Sequence, residues 1–228
     1  MYSIWTNPNI QYQDSFISSI IITGLSLLAL IFFSSQAAWV LVRTKTKTSQ
    51  IIFFTFVAAM VIPFQIVMFP LLSWFRTIHQ VLGIRLLRTY QGMILSYLGF
   101  GLSLSIFMYH GFIKSIPLEL EEAATIDGCG RMKIFYVIIS PILKPIHATV
   151  LVLNGIWIWN DYLLPLLVLG KGNRVQTIPL AVANFAGAFV KQWDLILTAI
   201  LMAMIPIIIF FLTAQKHIIK GMVAGSIK

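Results

Sequence analysis

Seven of the 228 residues are carboxylates, and four of them, Glu119, Glu121, Glu122 and Asp127, crowd into one short polar segment. Glu122 is followed by two alanines, Ala123 and Ala124, small enough to let another backbone approach closely, and the acid is able to pair with a basic residue. Acid–base or metal catalysis would instead need paired acids, a histidine–acid set or a metal cluster at one site. Within the apolar runs of this chain the only carboxylate is Asp161, so no catalytic or metal-binding residue is assigned. A GxxxxGK[ST] phosphate loop is absent from the sequence, and Gly170, Lys171 and Gly172 stand too close together to form one. The chain is therefore expected to bind no ATP by that route and no cofactor of its own.

The acidic segment lies in a loop from Ile113 to about Pro145 that reads as two short helices around a glycine. Ser115 is a plausible N-cap, Pro117 suits a first helical turn, and Glu119, Glu121 and Glu122 favour the positive end of the helix dipole. Gly128 and Gly130 are placed to end that helix. The stretch RMKIFYVII then leads to Pro141 and Pro145. From these residues alone the loop is either a rigid knob that docks on a partner or an ordinary solvated connector. Farther on, Asn154, Trp157 and Asp161 fall near one helix face at i, i+3 and i+7, with Asn160 beside them. That face either lines a solute path, or Asp161 pairs within the bundle and fixes one end of a span. His110 and His147 stand at span ends and read as interfacial groups rather than ligands.

Composition defines what must position these groups. Hydrophobic residues make up 59% and charged residues 10% of the chain, against about 45–50% apolar and about 25% charged in soluble domains. A soluble globular domain is excluded. Apolar runs near Phe16–Val42, Ile51–Leu72, Met93–Phe112, Ile146–Leu169 and Leu195–Ala214 are each long enough to cross roughly 30 Å of hydrocarbon. None alternates with period two, so a β-barrel is excluded. The expected fold is all-α, a polytopic helical membrane protein with five spans. Pro63, Pro165 and Pro206 are expected to kink them.

The net charge of +9 would suit nucleic acid on a soluble domain, but the cations sit in short loops without interleaved aromatics. They set topology instead, and no nucleic-acid partner is expected. The face holding Arg43, Lys45, Lys47, Lys114, Arg131, Lys133, Lys144 and the basic tail carries more cations than its opposite, so the C-terminus is read as cytoplasmic and the N-terminus as external. Residues 1 to 42 contain no Lys or Arg, so a cleavable signal peptide is not expected and the first apolar run reads as a span. The single Cys129 forms no disulfide within the chain.

The run ELEEAATIDGCGRMKIFYVIISP resembles the signature of the binding-protein-dependent ABC importer permeases: Glu-Ala-Ala, three residues, Gly, nine residues, Ile, one residue, Leu-Pro. Here it is Glu122, Ala123, Ala124, Gly128, Ile138 and Pro141, with Ser140 where the family has leucine. The stretches FSSQAAWVLVRTK, MVIPFQIVMFPL, WIWNDYLLPLL, TIPLAVANF and QKHIIKGMVAGSIK extend the resemblance nearly end to end, toward the smaller permease subunit of the maltose-type carbohydrate importers.

The resemblance implies a type I importer permease fold that lacks the family's first span. It also implies an external segment 1–15, a transmembrane domain 16–214 with its coupling loop at 113–145, and a cytoplasmic tail 215–228 whose Lys216, Lys220 and Gly225 add contacts to the ATPase. The implied partners are a second permease, a cytoplasmic ATPase dimer that uses ATP, an extracytoplasmic sugar-binding protein and membrane lipid, in a bacterial cell membrane. Glu122, Ala123, Ala124, Asp127 and Gly128 become the ATPase-coupling residues; Asn154, Trp157, Asn160 and Asp161 stand as candidates for the translocation path. Competing expectations are a truncated, non-transporting paralogue, a permease for a non-sugar solute and, remotely, an intramembrane enzyme or receptor.

Overall fold

The computed structural model describes residues 12–188 and 193–226, the side chains of 184–188, 195 and 213–226 excepted. Every regular element among them is helical. The first, α1 (Tyr12–Arg43), is apolar on all sides and, at 32 residues, about 48 Å long. The sequence expects a second span over Ile51–Leu72; the structure instead has two helices, α2 (Lys47–Ala59) and α3 (Phe64–Leu82), separated by a break at 60–63. Pro63 is the cause. It caps α3 with an extended backbone and no N–H to donate, and it biases the preceding residue away from helix. α2 starts on a capping threonine, with the Ser49 amide donating to Thr46 Oγ1 at 3.2 Å.

The third expected span is one unbroken helix, α4 (Tyr90–Lys114). After it come the short α5 (Glu119–Ile126) and a helical stretch, α6 (Arg131–Ile142), whose centre Ile134–Ile139 is wound as a π-helix. The fourth expected span is broken: α7 (Lys144–Asn160) stops at Asp161 and Tyr162, and Pro165 sits in a separate short helix, α8 (Leu163–Val168). α9 (Ile178–Ala188) and α10 (Trp193–Ser226) complete the chain, with Pro206 inside α10. By length and composition α1 and α4 can each cross a membrane alone, and the bent pairs α2–α3 and α6–α7 pass as pairs. Ile196–Leu212 of α10 is a shorter apolar stretch.

Two compact units divide the chain. The first comprises the segment up to Leu27 with Ile62–Leu98 and Gly155–Leu212. Its core packs Tyr12, Trp159, Ile178, Val182, Ile196 and Ala199. Buried hydroxyls pair with backbone and with each other: the Ile178 amide donates to Ser19 Oγ at 2.8 Å, and the Ser18 and Tyr90 hydroxyls lie 2.8 Å apart. The second unit comprises Leu28–Val61, Gly99–Asn154 and the segment from Thr213. Around Ile106, Tyr109, Ile113, Phe135, Ile139 and Leu143 it builds a continuous core that also takes in Ala124 of α5. Large apolar side chains such as Leu28, Phe33, Ile51 and Phe54 remain exposed, as lipid-facing residues must be when the solvent is itself apolar.

The expected external segment lies outside the described residues as far as position 11, and the tail contacts at Lys216, Lys220 and Gly225 fall among side chains outside the described set.

Candidate functional site

In the second unit the acidic loop folds as a helix with a closed exit. Its N-cap is Leu118, without a side-chain cap, so the expected Ser115 cap is corrected. Ser115 Oγ turns back to the Phe112 carbonyl at 2.7 Å and closes the end of α4 instead. Pro117 precedes the helix rather than sitting in its first turn, where Glu119, Glu121 and Glu122 do lie. The exit follows the residue types. Gly128 has φ +78°, its amide donates to the Thr125 carbonyl at 3.0 Å, and the Cys129 amide donates to the Ala124 carbonyl at 2.9 Å. That is a Schellman closure, and it needs a residue without a Cβ at the left-handed position. Asp127 is the C-cap. Gly130, at φ −70°, serves as the extended N-cap of α6 rather than as a second terminator.

The face of α5 divides its residues sharply. Glu122, Ala123 and Ile126 are exposed, Ile126 lying four residues after Glu122 and three after Ala123, and it keeps 87% of its surface open. Ala124, expected to belong to the same small-residue patch, turns inward and is 6% exposed in the core. Glu121 turns inward too and is 8% exposed. Arg43 Nε, at the end of α1, donates to Glu121 Oε1 at 2.7 Å; Trp39 Nε1 donates to Glu121 Oε2 at 3.1 Å. The Arg43 guanidinium also donates, through Nη2, to the Ile116 carbonyl at 3.1 Å. Trp39 packs on Phe135 of the π segment with ring centroids 5.3 Å apart.

The sequence reading takes Glu121 as one of several helix-favouring acids and Arg43 as one of the cations that set topology. The adjacency of the two acids gives only that successive helical residues point about 100° apart, so Glu121 and Glu122 meet different surroundings, without fixing which of them turns inward.

The four path candidates separate. In the second unit Asn154 is 1% exposed, and its Nδ2 donates to Ser105 Oγ at 3.2 Å and to the Val150 carbonyl at 3.0 Å. In the first unit Asn160 Nδ2 donates to the Ile156 carbonyl of its own helix at 2.8 Å. Trp157 keeps 39% of its surface and meets Tyr97 edge to face at 5.5 Å. Asp161 lies in the break after α7 rather than inside a span: Oδ2 accepts from the Tyr97 hydroxyl at 3.1 Å and Oδ1 from the Leu163 amide at 3.0 Å. It accepts from the first amide of α8, whose N-cap is Tyr162, and ties the break to α4. His110, expected at an interface, is buried and stacked on Phe53 with centroids 3.7 Å apart. His147 Nδ1 is hydrogen-bonded to the Tyr109 hydroxyl. No group of three or more potential metal ligands occurs among the described residues.

An all-helical chain with membrane-length apolar helices and a short, stiff acidic helix set between them has the form of a multi-pass transport subunit. Comparison with known proteins agrees. The family described as the inner membrane component of binding-protein-dependent transport systems matches residues 31–224, and the chain belongs to that family. It is a transporter permease, not an enzyme.

The chain is 40% identical to a melibiose/raffinose/stachyose import permease protein of Bacillus subtilis, with 94% of this chain and 76% of the relative covered. It is 36% identical to a multiple sugar-binding transport system permease protein of Streptococcus mutans, at 93% and 76% coverage. Among solved structures, a bacterial ABC transporter involved in the import of the acidic polysaccharide alginate superposes with a TM-score of 0.77 over 94% of this chain and 77% of that one, at 22% identity. That likeness supports the helical fold alone.

Proposed function

We propose that this chain is one of two permease subunits of a sugar importer, with α5 as the helix that docks on a cytoplasmic ATPase dimer and an extracytoplasmic sugar-binding protein delivering the solute. The names of the oligosaccharide and multiple-sugar relatives support the substrate class. The carrying observation is the outward face of α5: a free carboxylate, Glu122, beside the small Ala123 and the exposed Ile126, on a helix whose far end is closed by the Gly128 turn. An apolar projection flanked by a charge is what a cleft with a basic residue would grip.

In this reading Glu122 makes the charged contact, Ala123 allows close approach, Ala124 anchors the helix from inside, and Asp127 with Gly128 sets its exit. The cytoplasmic side of this loop follows from the cation distribution, with the C-terminus inside and the N-terminus outside. The chain binds no nucleotide itself; ATP is used by the partner. Of the path candidates, Trp157 and the exposed Asn160 are the ones left with surface to meet a passing sugar, since an aromatic face and an amide suit hydroxyl-rich solutes. Asn154 and Asp161 already use their polar atoms within the chain.

The test is Glu122→Lys in the assembled transporter. Uptake of labelled oligosaccharide should be lost and the ATPase should no longer co-purify, while the permease still inserts in the membrane. Normal uptake with normal ATPase stimulation would remove the docking role.

A further inference from the structure

We infer that Glu121, the inward neighbour of the docking acid, is a positioning residue that latches α5 to the C-terminal end of α1, so that displacement of the docking helix is delivered to α1 through Arg43 and Trp39. The inference rests on the docking reading of α5 and assigns a separate role to the residue beside Glu122.

The geometry is that of a link between two elements. Both carboxylate oxygens of Glu121 are occupied, one by Arg43 Nε at 2.7 Å and the other by Trp39 Nε1 at 3.1 Å. Both donors come from the last turns of α1. The same guanidinium holds the Ile116 carbonyl at 3.1 Å, so one side chain grips α5 and the chain that enters it. From the other side, Trp39 rests on Phe135, the start of the π segment that follows the docking loop. The backbone alone would leave α5 free to tilt: it is joined to α4 by Ser115–Leu118, which includes Pro117, and to α6 by the left-handed Gly128. Both connections are short and sit where a chain turns easily. The latch is therefore the directional side-chain tie between α5 and a membrane-length helix.

Energetics favour position over stability as the use of this pair. Removing two charges from water offsets most of their attraction, and well-packed apolar residues of similar volume commonly hold a fold as well or better. A guanidinium fork fixes distance and orientation, which apolar contacts do not. Apolar packing is already supplied by Ala124 and Ile116 in the same core. The pair is also the one salt bridge among the described residues, placed where a docking helix meets a span.

The test uses the assembled transporter in proteoliposomes, comparing wild type, Glu121→Gln, Arg43→Gln and the double variant. Three quantities are read: ATPase co-purification, ATP hydrolysis, and sugar taken up per ATP hydrolysed. Glutamine keeps the shape of Glu121 and its acceptor for Trp39 while removing the charge. Each single variant should keep co-purification and retain hydrolysis within about twofold, with uptake per ATP falling on the order of tenfold. The double variant should be no worse than the worse single, because both remove one link.

Unchanged uptake per ATP in the single variants would overturn the latch, and so would additive losses in the double. Loss of co-purification in Glu121→Gln would overturn it as well, by making Glu121 part of the docking contact. Failure of the docking reading shows separately, as a Glu122→Lys variant that still binds its ATPase and transports.

Discussion

Glu121 and Asp161 are both carboxylates at a helix boundary, and each accepts a hydrogen bond from an aromatic donor, Trp39 Nε1 and the Tyr97 hydroxyl, both at 3.1 Å. They differ in the second partner. Glu121 meets a guanidinium at 2.7 Å; Asp161 meets the neutral Leu163 amide at 3.0 Å. In the second unit the acid reaches across nearly eighty residues to tie two elements by charge, while its neighbour Glu122 stays exposed. In the first unit the acid completes a turn two residues away and steadies a break. The difference teaches that an acid's chemistry in an apolar chain is set by what compensates it. An ion pair links elements directionally, and a set of neutral donors makes a cap.

That contrast can be broken by substitution. Glu122→Lys should have the largest effect, a loss of oligosaccharide uptake of at least about tenfold, because it reverses a charge at the contact itself; radiolabelled uptake in cells measures it. Next comes Asp161→Ala, which removes the acceptor of the Leu163 amide and strands the Tyr97 hydroxyl. It should lower stability by about 1–2 kcal/mol, read as a fall in the melting temperature of the detergent-solubilised transporter. Asp161→Asn keeps an acceptor and should leave both stability and uptake close to wild type. If uptake collapses in Asp161→Asn while stability holds, Asp161 belongs to the solute path and the contrast with Glu121 disappears.

Gly128→Ala places a Cβ on a residue at φ +78°, where the surroundings are open and only the backbone is strained. The expected cost is about 1 kcal/mol, seen as earlier proteolysis or faster hydrogen exchange across Glu119–Gly130 with the rest of the chain unaltered. Tyr97→Phe should cost less than that, about 0.5 kcal/mol in thermal unfolding, since it deletes one neutral donor and leaves the edge-to-face contact with Trp157 in place.

Much of this architecture was legible in the sequence. The spans at α1 and α4 declare themselves because a long apolar run free of breakers has one stable form in lipid, the helix that satisfies its own backbone. The left-handed exit at Gly128 is likewise local, a matter of one missing Cβ. The breaks were less legible: Pro63 was expected as a kink within a single span, but the helix ends before it and a new one starts after it. The break at Asp161 and Tyr162 has no proline at its start, and Pro165 lies inside the next short helix. Ser115 had the residue type of a helix cap, yet the Phe112 carbonyl, closer in the fold, takes its hydroxyl.

By itself, then, the sequence determined that the chain is a helical membrane protein, where its short acidic helix lies, and which glycine ends that helix, because hydropathy, helix periodicity and backbone sterics act over a few residues. Only the tertiary structure decided which of two adjacent glutamates faces outward, since that depends on Arg43 and Trp39, some eighty residues earlier in the chain. It likewise decided that Asn154 and Asp161 are engaged within the chain. Burial and partner geometry are properties of the packed assembly, and no local rule of sequence contains them.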